Sequence, residues 1–268
     1  MGLHFRKLGQ GQPLIILHGL YGSSDNWYSI AKVFSAYFTV YTIDLRNHGH
    51  SAHYPTHTYN DMAADIVNFC QEHNIEKATF AGHSMGGKTA MLLALEHPQL
   101  IEKLIVVDIA PKAYSLLLEP SEHVLQHINI MQAFANVDLT GLTKREEVDM
   151  LLAEYIADPP TRQFLMKNLV RKESGFQWQL NTKVLRNSLP EIINGPDFNK
   201  ILFDKSQITY PVLFVKGEKS GYIKDEDMIT IRKIFPKAEL SVIFNAGHWL
   251  HAEQPQSFIN TLKYFLCL

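Results

Sequence analysis

The chain has 268 residues, of which 46% are hydrophobic and 19% charged, and its formal net charge is −2. That length buries one large core, or one domain carrying an insertion, and a near-neutral charge gives nucleic acid or an anionic membrane no electrostatic hold. No apolar run is long enough to cross a bilayer, and two cysteines make no disulfide framework, which suits a reducing compartment.

The first residues, Met1-Gly2-Leu3-His4-Phe5-Arg6-Lys7, lack the apolar core of a signal peptide, and Arg6 stands where a myristoylation motif needs Ser or Thr. The expected location is cytoplasmic. Apolar runs then recur at Leu14–Leu17, Val40–Ile43, Ala78–Ala81, Leu104–Val107, Val212–Val215 and Leu240–Phe244. Their apolarity is continuous rather than alternating, as in strands of a parallel sheet covered on both faces. Helices are expected between them, over Asp25–Ala36, Thr58–His73, Met85–His97, Asp225–Ile234 and Pro255–Phe265. Thr58-x-x-Asp61 is a capping signal, and Pro98 closes the helix that Met85 opens. Cys70 shares a helical face with Met62, Ile66 and Phe69 and reads as a small core residue. Strand and helix in alternation imply an α/β architecture with right-handed crossovers.

The alternation breaks once. Roughly a hundred residues separate the strand ending near Asp108 from the one starting near Pro211, against the ~10–15-residue helical pattern of an ordinary crossover. Val124, Ile128, Met131 and Phe134 form one apolar stripe in this segment. Val148, Leu151, Leu152, Tyr155 and Ile156 form a second, opened by Thr143-x-x-Glu146, and a third follows Pro159-Pro160 with Phe164, Leu165 and Leu169. The expectation is a helical cap, residues 112–206, inserted into a core domain of residues 1–111 and 207–268. At the carboxyl edge of the sheet it would act as a lid.

The chemistry centres on Gly82-His83-Ser84-Met85-Gly86, which joins an apolar run to a helical segment. Strand, sharp turn and helix around G-x-S-x-G present a serine hydroxyl as a nucleophile. A serine needs a base, and the base needs an orienting acid. Gly247-His248, after the final strand, supplies the base, while His251 is read as structural. Two backbone amides should form the oxyanion hole: that of Met85, after the nucleophile, and that of Leu20 in His18-Gly19-Leu20-Tyr21-Gly22. His18 reads as a loop organiser, and Asp44 and Arg46 as loop-stabilising. His48-x-His50 and His248…His251 have no cysteine or carboxylate cluster to complete a metal site, so no metal is expected.

His18-Gly19-Leu20, Asp44-x-Arg46-x-His48-Gly49-x-Ser51, Gly82-His83-Ser84-Met85-Gly86-Gly87 and Gly247-His248 together resemble the α/β-hydrolase superfamily. The resemblance spans the whole chain except the cap. Arg46-Asn47-His48-Gly49, Gly82–Lys88 and Val107-Asp108-Ile109-Ala110-Pro111 resemble the small bacterial YbfF-type esterases most closely. That likeness implies an α/β-hydrolase fold, an ester or thioester hydrolase with a small helical cap, and no cofactor. One departure stands out. The superfamily's acid usually follows the penultimate strand in a G-x-x-D turn, but here the turn is Gly217-Glu218-Lys219-Ser220. Asp108, ending the strand expected beside the one that bears Ser84, is the expected acid, with Glu218 and Asp225 in reserve.

The expected activity is hydrolysis of small to medium acyl esters through an acyl-enzyme, with acyl-CoA thioesters as a close variant. The alternatives are a cofactor-free perhydrolase or haloperoxidase, which would keep the same triad, and a non-enzymatic ligand receptor on the same scaffold. The expected partner is a small-molecule ester or thioester, with no nucleic acid and no membrane. Tyr21, Trp27, Tyr114, Leu116, Leu117, Trp178, Tyr222 and Trp249 are candidate pocket walls, although each could equally pack a core.

Overall fold

A computed structural model describes residues 2–114, 121–198 and 200–268. The central element is a seven-stranded sheet in the order β1-β3-β2-β4-β5-β8-β9. Its strands are β1 (Phe5–Leu8), β2 (Gln12–Leu17), β3 (Phe38–Ile43), β4 (Ala78–His83), β5 (Ile101–Val107), β8 (Val212–Gly217) and β9 (Ala238–Ile243). Every pairing is parallel except that of β1 with β3. The six apolar runs all become strands. The edge strand β1 has no counterpart among those runs, because Phe5-Arg6-Lys7-Leu8 is half polar and covers only the sheet's margin.

Two apolar layers cover the sheet. Helices α1 (Tyr28–Phe34) and α10 (Pro255–Leu266) bury Ile30, Phe34, Phe258 and Leu262 against one face, with Trp27 from the turn before α1 beside them. Helices α2 (Tyr59–Glu72), α3 (Met85–Glu96) and α8 (Asp227–Ile234) lie on the other. The Thr58 hydroxyl accepts the Asp61 N–H at 3.0 Å and so starts α2 where the capping signal stands. Helix α3 is buried from Met85 to Leu95, having neighbours on every side, so it shows no polar stripe.

Between β5 and β8 the chain forms α4 (Glu122–Asn136), α5 (Arg145–Ala153), α6 (Pro159–Met166), the antiparallel hairpin β6–β7 (Leu169–Lys172 and Gly175–Trp178) and α7 (Thr182–Asn194). Two readings of this segment need correction. The backbone N–H groups of Thr143 and Lys144 both donate to Glu147, at 2.9 and 2.8 Å, so α5 is capped one residue later than Thr143-x-x-Glu146 implied. Leu169 continues no helix; it opens the hairpin. The short helix α9 (Leu250–Glu253) holds His251 ahead of α10. Among the described residues no helix is long and apolar enough to cross a membrane.

Candidate active site

The turn from β4 to α3 places Ser84 at φ 52°, ψ −116°, a strained conformation for a residue with a side chain. Close packing enforces it. A Cβ on Gly82 would lie 2.2 Å from the Gly86 carbonyl oxygen, and one on Gly86 would lie 2.5 Å from the carbonyl oxygens of Leu17 and His18. Only glycine at both positions lets the turn close and lets α3 start against the end of β2. The Met85 N–H is the first amide of α3 and has no carbonyl four residues back inside the helix.

The loop after β2 lies against this turn. A Cβ on Gly19 would be 2.8 Å from His83 Nδ1 and 3.3 Å from Ser84 Cβ. His18 holds the loop: its Nδ1–H donates to the Gly19 carbonyl at 2.8 Å and its Nε2 accepts the Leu45 N–H at 3.0 Å. The amides after Leu20 are committed, Tyr21 N–H to His48 Nε2 at 3.2 Å and Gly22 N–H to the Gly19 carbonyl at 3.0 Å. Asp44 accepts the amides of Ser24 and His50, while Arg46 forks onto Asp65 at 2.6 and 2.8 Å. Both build the loops around the site.

Asp108 follows β5, which pairs directly with β4, and its own backbone is at φ 52°. Its carboxylate accepts the His248 Nδ1–H at 2.8 Å, the Gly217 N–H at 3.0 Å and the Ser220 hydroxyl. Burial pushes the Asp108 carboxyl up and the His248 imidazole down. Three donors aimed at one carboxylate require an acceptor, so the arrangement holds Asp108 as the anion and His248 as the neutral ring. Glu218 instead accepts the Asn245 N–H at 2.8 Å, and Asp225 pairs with Lys216 at 3.2 Å with its own side chain exposed.

Two arms of empty space meet at Ser84, sharing Leu20, His127 and Tyr222. One, of about 560 Å³, runs past Tyr21, Trp27, Phe164, His248 and Trp249. The other, of about 410 Å³, runs past Tyr59, Met85, Lys88, Tyr114 and Ile193. Tyr21, Trp27, Tyr114, Tyr222 and Trp249 therefore do line the space at Ser84. Trp178 does not; its ring packs edge-on to Phe134 inside the insertion, 4.7 Å between centroids, as its alternation along β7 dictates. Leu116 and Leu117 lie outside the described residues.

Several site residues carry no signal of the kinds used on the sequence. Buried His83 donates its Nε2–H to the His248 carbonyl at 2.9 Å. Lys88, one turn after Ser84 and buried, reaches the carbonyls of Ile193 and Asn194 at the end of α7, at 3.0 and 3.1 Å. A lysine inside an otherwise apolar helix is the available cue. His127 on α4 bridges the hydroxyls of Tyr21 and Tyr222, each at 3.2 Å. His251 stacks flat on Trp27, centroids 4.2 Å apart, beneath the site.

The chain is similar to known proteins over most of its length. A family model for the alpha/beta hydrolase fold matches residues 12–255. The sn-1-specific diacylglycerol lipase ABHD11 of Danio rerio is 38% identical over 98% of this chain and 80% of its own length. Esterase YbfF of Escherichia coli is 33% identical over 95% of this chain and 92% of its own. A marine microorganism esterase of known structure superposes with a TM-score of 0.92 at 44% identity, covering 98% of this chain and 99% of that one. With a family model over residues 12–255, a relative 38% identical over 98% of the chain, and a strained serine turn beside a buried Asp–His pair, the chain belongs to the α/β-hydrolase fold family.

Proposed function

We propose that this protein is a serine ester hydrolase acting on small to medium acyl esters, with acyl-CoA thioesters as further substrates. The observation that carries the reading is the Asp108–His248 pair, a neutral imidazole held by a buried carboxylate at the same cavity as a strained serine. In this reading Ser84 Oγ attacks the substrate carbonyl while His248 Nε2 takes its proton. The amides of Leu20 and Met85 stabilise the oxyanion, aided by the amino end of α3. His248 then returns the proton to the departing alcohol or thiol. Water, deprotonated by His248, releases the acid from Ser84. Names of the relatives, esterase and diacylglycerol lipase, support ester substrates.

The two arms divide the substrate. The leaving group must depart on the side of His248, so the arm lined by His248 and Trp249 takes the alcohol. The acyl chain is left the arm along α3, which Lys88 and Ile193 help to line. A lysine nitrogen held in the wall by two carbonyls disfavours a long apolar tail whether or not it is protonated, which supports short and medium chains. The insertion of residues 112–206 serves as the cap: α4 and α6 give the alcohol arm Gln126, Ile130 and Phe164, and α7 gives the acyl arm Ile192 and Ile193.

The test is a hydrolysis panel of p-nitrophenyl esters and acyl-CoAs of graded chain length, with fluorophosphonate labelling of the wild type and of Ser84→Ala. Labelling confined to Ser84 and a turnover loss of about 10⁴–10⁶-fold in folded Ser84→Ala are expected. A receptor on this scaffold would neither label nor turn over.

A further inference from the structure

Tyr222 lies in the turn after β8, two residues beyond Ser220. Its ring stacks on His248 with centroids 4.0 Å apart and planes 25° apart. Its other face stacks on His123 of α4 at 4.5 Å and 26°. The backbone of Tyr222 is pinned, its N–H donating to Ser220 Oγ at 3.3 Å and its carbonyl accepting the Tyr114 hydroxyl at 2.5 Å. We propose that Tyr222 is a positioning residue for His248, its ring fixing the imidazole plane and its π face stabilising the imidazolium formed when Ser84 loses its proton. The proposal rests on the serine–histidine reading above and adds a residue to it.

A hydrogen bond from Nδ1 to Asp108 holds one edge of the imidazole but leaves the ring able to pivot about that bond. A flat contact at 4.0 Å removes the freedom. Electrostatics act in the same direction. Burial makes a cationic imidazole costly, and an aromatic face within ~6 Å recovers part of that cost. The other groups around His248 are few in kind. The His83 ring lies 4.6 Å away and tilted by 41°, His123 and His127 approach from α4, and His251 lies beside His83. His83, His127 and His251 are held neutral by burial. Asp108 holds the ring edge, and Glu253 accepts the amides of Gly247 and Trp249, which fixes the backbone of the turn. Lys216, which faces Asp108, is paired with Asp225, and Lys167 faces His251. Tyr222 is thus the closest aromatic ring to the imidazole and the one nearest to parallel with it. The turn that relatives are expected to use for the acid serves the base from both ends here: Ser220 donates to Asp108, and Tyr222 covers His248.

The experiment compares Tyr222→Leu, which removes the π face, with Tyr222→Phe, which keeps it and drops the hydroxyl that contacts His127. A parallel series places phenylalanines of graded ring fluorination at 222, which keeps the shape and drains the π face, so the test does not depend on Leu folding. Turnover of p-nitrophenyl butyrate is followed from pH 4 to 9, together with the rate of fluorophosphonate labelling. In Tyr222→Leu kcat should fall about 3- to 30-fold with KM little moved. The acid limb should move to lower pH, because an unsupported imidazolium loses its proton more readily. Tyr222→Phe should recover most of kcat, and the fluorinated series should fall in step with fluorination. Loss in Tyr222→Phe equal to that in Tyr222→Leu assigns the effect to the hydroxyl and overturns the proposal, as does a flat fluorinated series. Wild-type protein that neither labels nor hydrolyses the ester removes the serine–histidine reading itself, and the proposal with it.

Discussion

His83 donates its Nε2–H to the backbone carbonyl of His248 at 2.9 Å, across 165 residues of sequence. The residue before Ser84 thereby fixes the turn that carries His248. His83→Phe keeps an aromatic ring and loses the donor. It should cost about 1 kcal/mol of stability and, by loosening the placement of His248, about 10- to 100-fold in kcat. His83→Gln can present an amide N–H at nearly the same point and should recover most of the rate. Thermal melts with kcat and KM for both variants check this, and equal kcat in His83→Phe and wild type would leave His83 a packing residue.

In the proposed mechanism the imidazole of His248 must be neutral to accept a proton from Ser84. Burial lowers its pKa below the ordinary value of 6.5. The neutral form therefore persists to more acid pH than in a free imidazole, and kcat/KM should hold its plateau down through about pH 6.5 and fall only below it. A pH–rate profile on a soluble ester reads the limb directly. A limb centred above about pH 7 would mean that Asp108 stabilises the cation more than burial opposes it.

Lys88 ties α3 to the insertion, since its Nζ donates to the carbonyls that end α7. Burial lowers its pKa from 10.5 to about 7. Between about pH 7 and 10 the unfolded chain then binds a proton that the folded chain does not, so stability rises with pH over that window on account of this group. Below about pH 7 both states are protonated and the cost of burying the charge is constant. Lys88→Met abolishes the ionisation. The stability of wild type minus that of Lys88→Met should climb from about pH 7 to pH 10, measured by urea unfolding across the range. A pH-independent difference would show that Lys88 ionises in the folded protein as it does in water.

Most of the sheet is legible in the sequence because its signal is local. The unbroken apolar runs Leu14–Leu17 and Leu104–Val107, and the helix starts at Thr58 and Met85, are written in neighbouring residues, and the structure keeps them. The placement of Asp108 beside His248 is legible for a different reason: Ser220 stands where the superfamily usually has its acid, and strand adjacency together with the resemblance to YbfF-type esterases favours Asp108 over Glu218 and Asp225. What stays hidden is set by contacts distant in sequence. Neither the pairing of His83 with His248 nor the bridge of His127 between Tyr21 and Tyr222 has a periodicity to betray it. The hairpin at Leu169–Trp178 escapes because its strands are four residues each and follow a helical stripe without a break.

The relation between Asp108 and Ser220 gives the sharpest prediction about the acid. The Ser220 hydroxyl and the Gly217 amide both donate to Asp108, so the turn supports the carboxylate instead of supplying one. Asp108→Asn preserves shape and removes charge. Its amide must then offer N–H groups toward donors, and His248 loses the partner that fixes its tautomer. A loss of about 10³–10⁴-fold in kcat is expected, as for a comparable triad acid. Ser220→Ala removes one of three donors and leaves the charge in place; it should cost about tenfold or less, the worth of one hydrogen bond. Glu218→Gln and Asp225→Asn touch groups bound elsewhere and should leave kcat within about twofold, as surface changes do. All four variants are measured on one ester, with circular dichroism to confirm the fold. A large loss in Glu218→Gln or Asp225→Asn, with Asp108→Asn near wild type, would return the acid to the turn after β8.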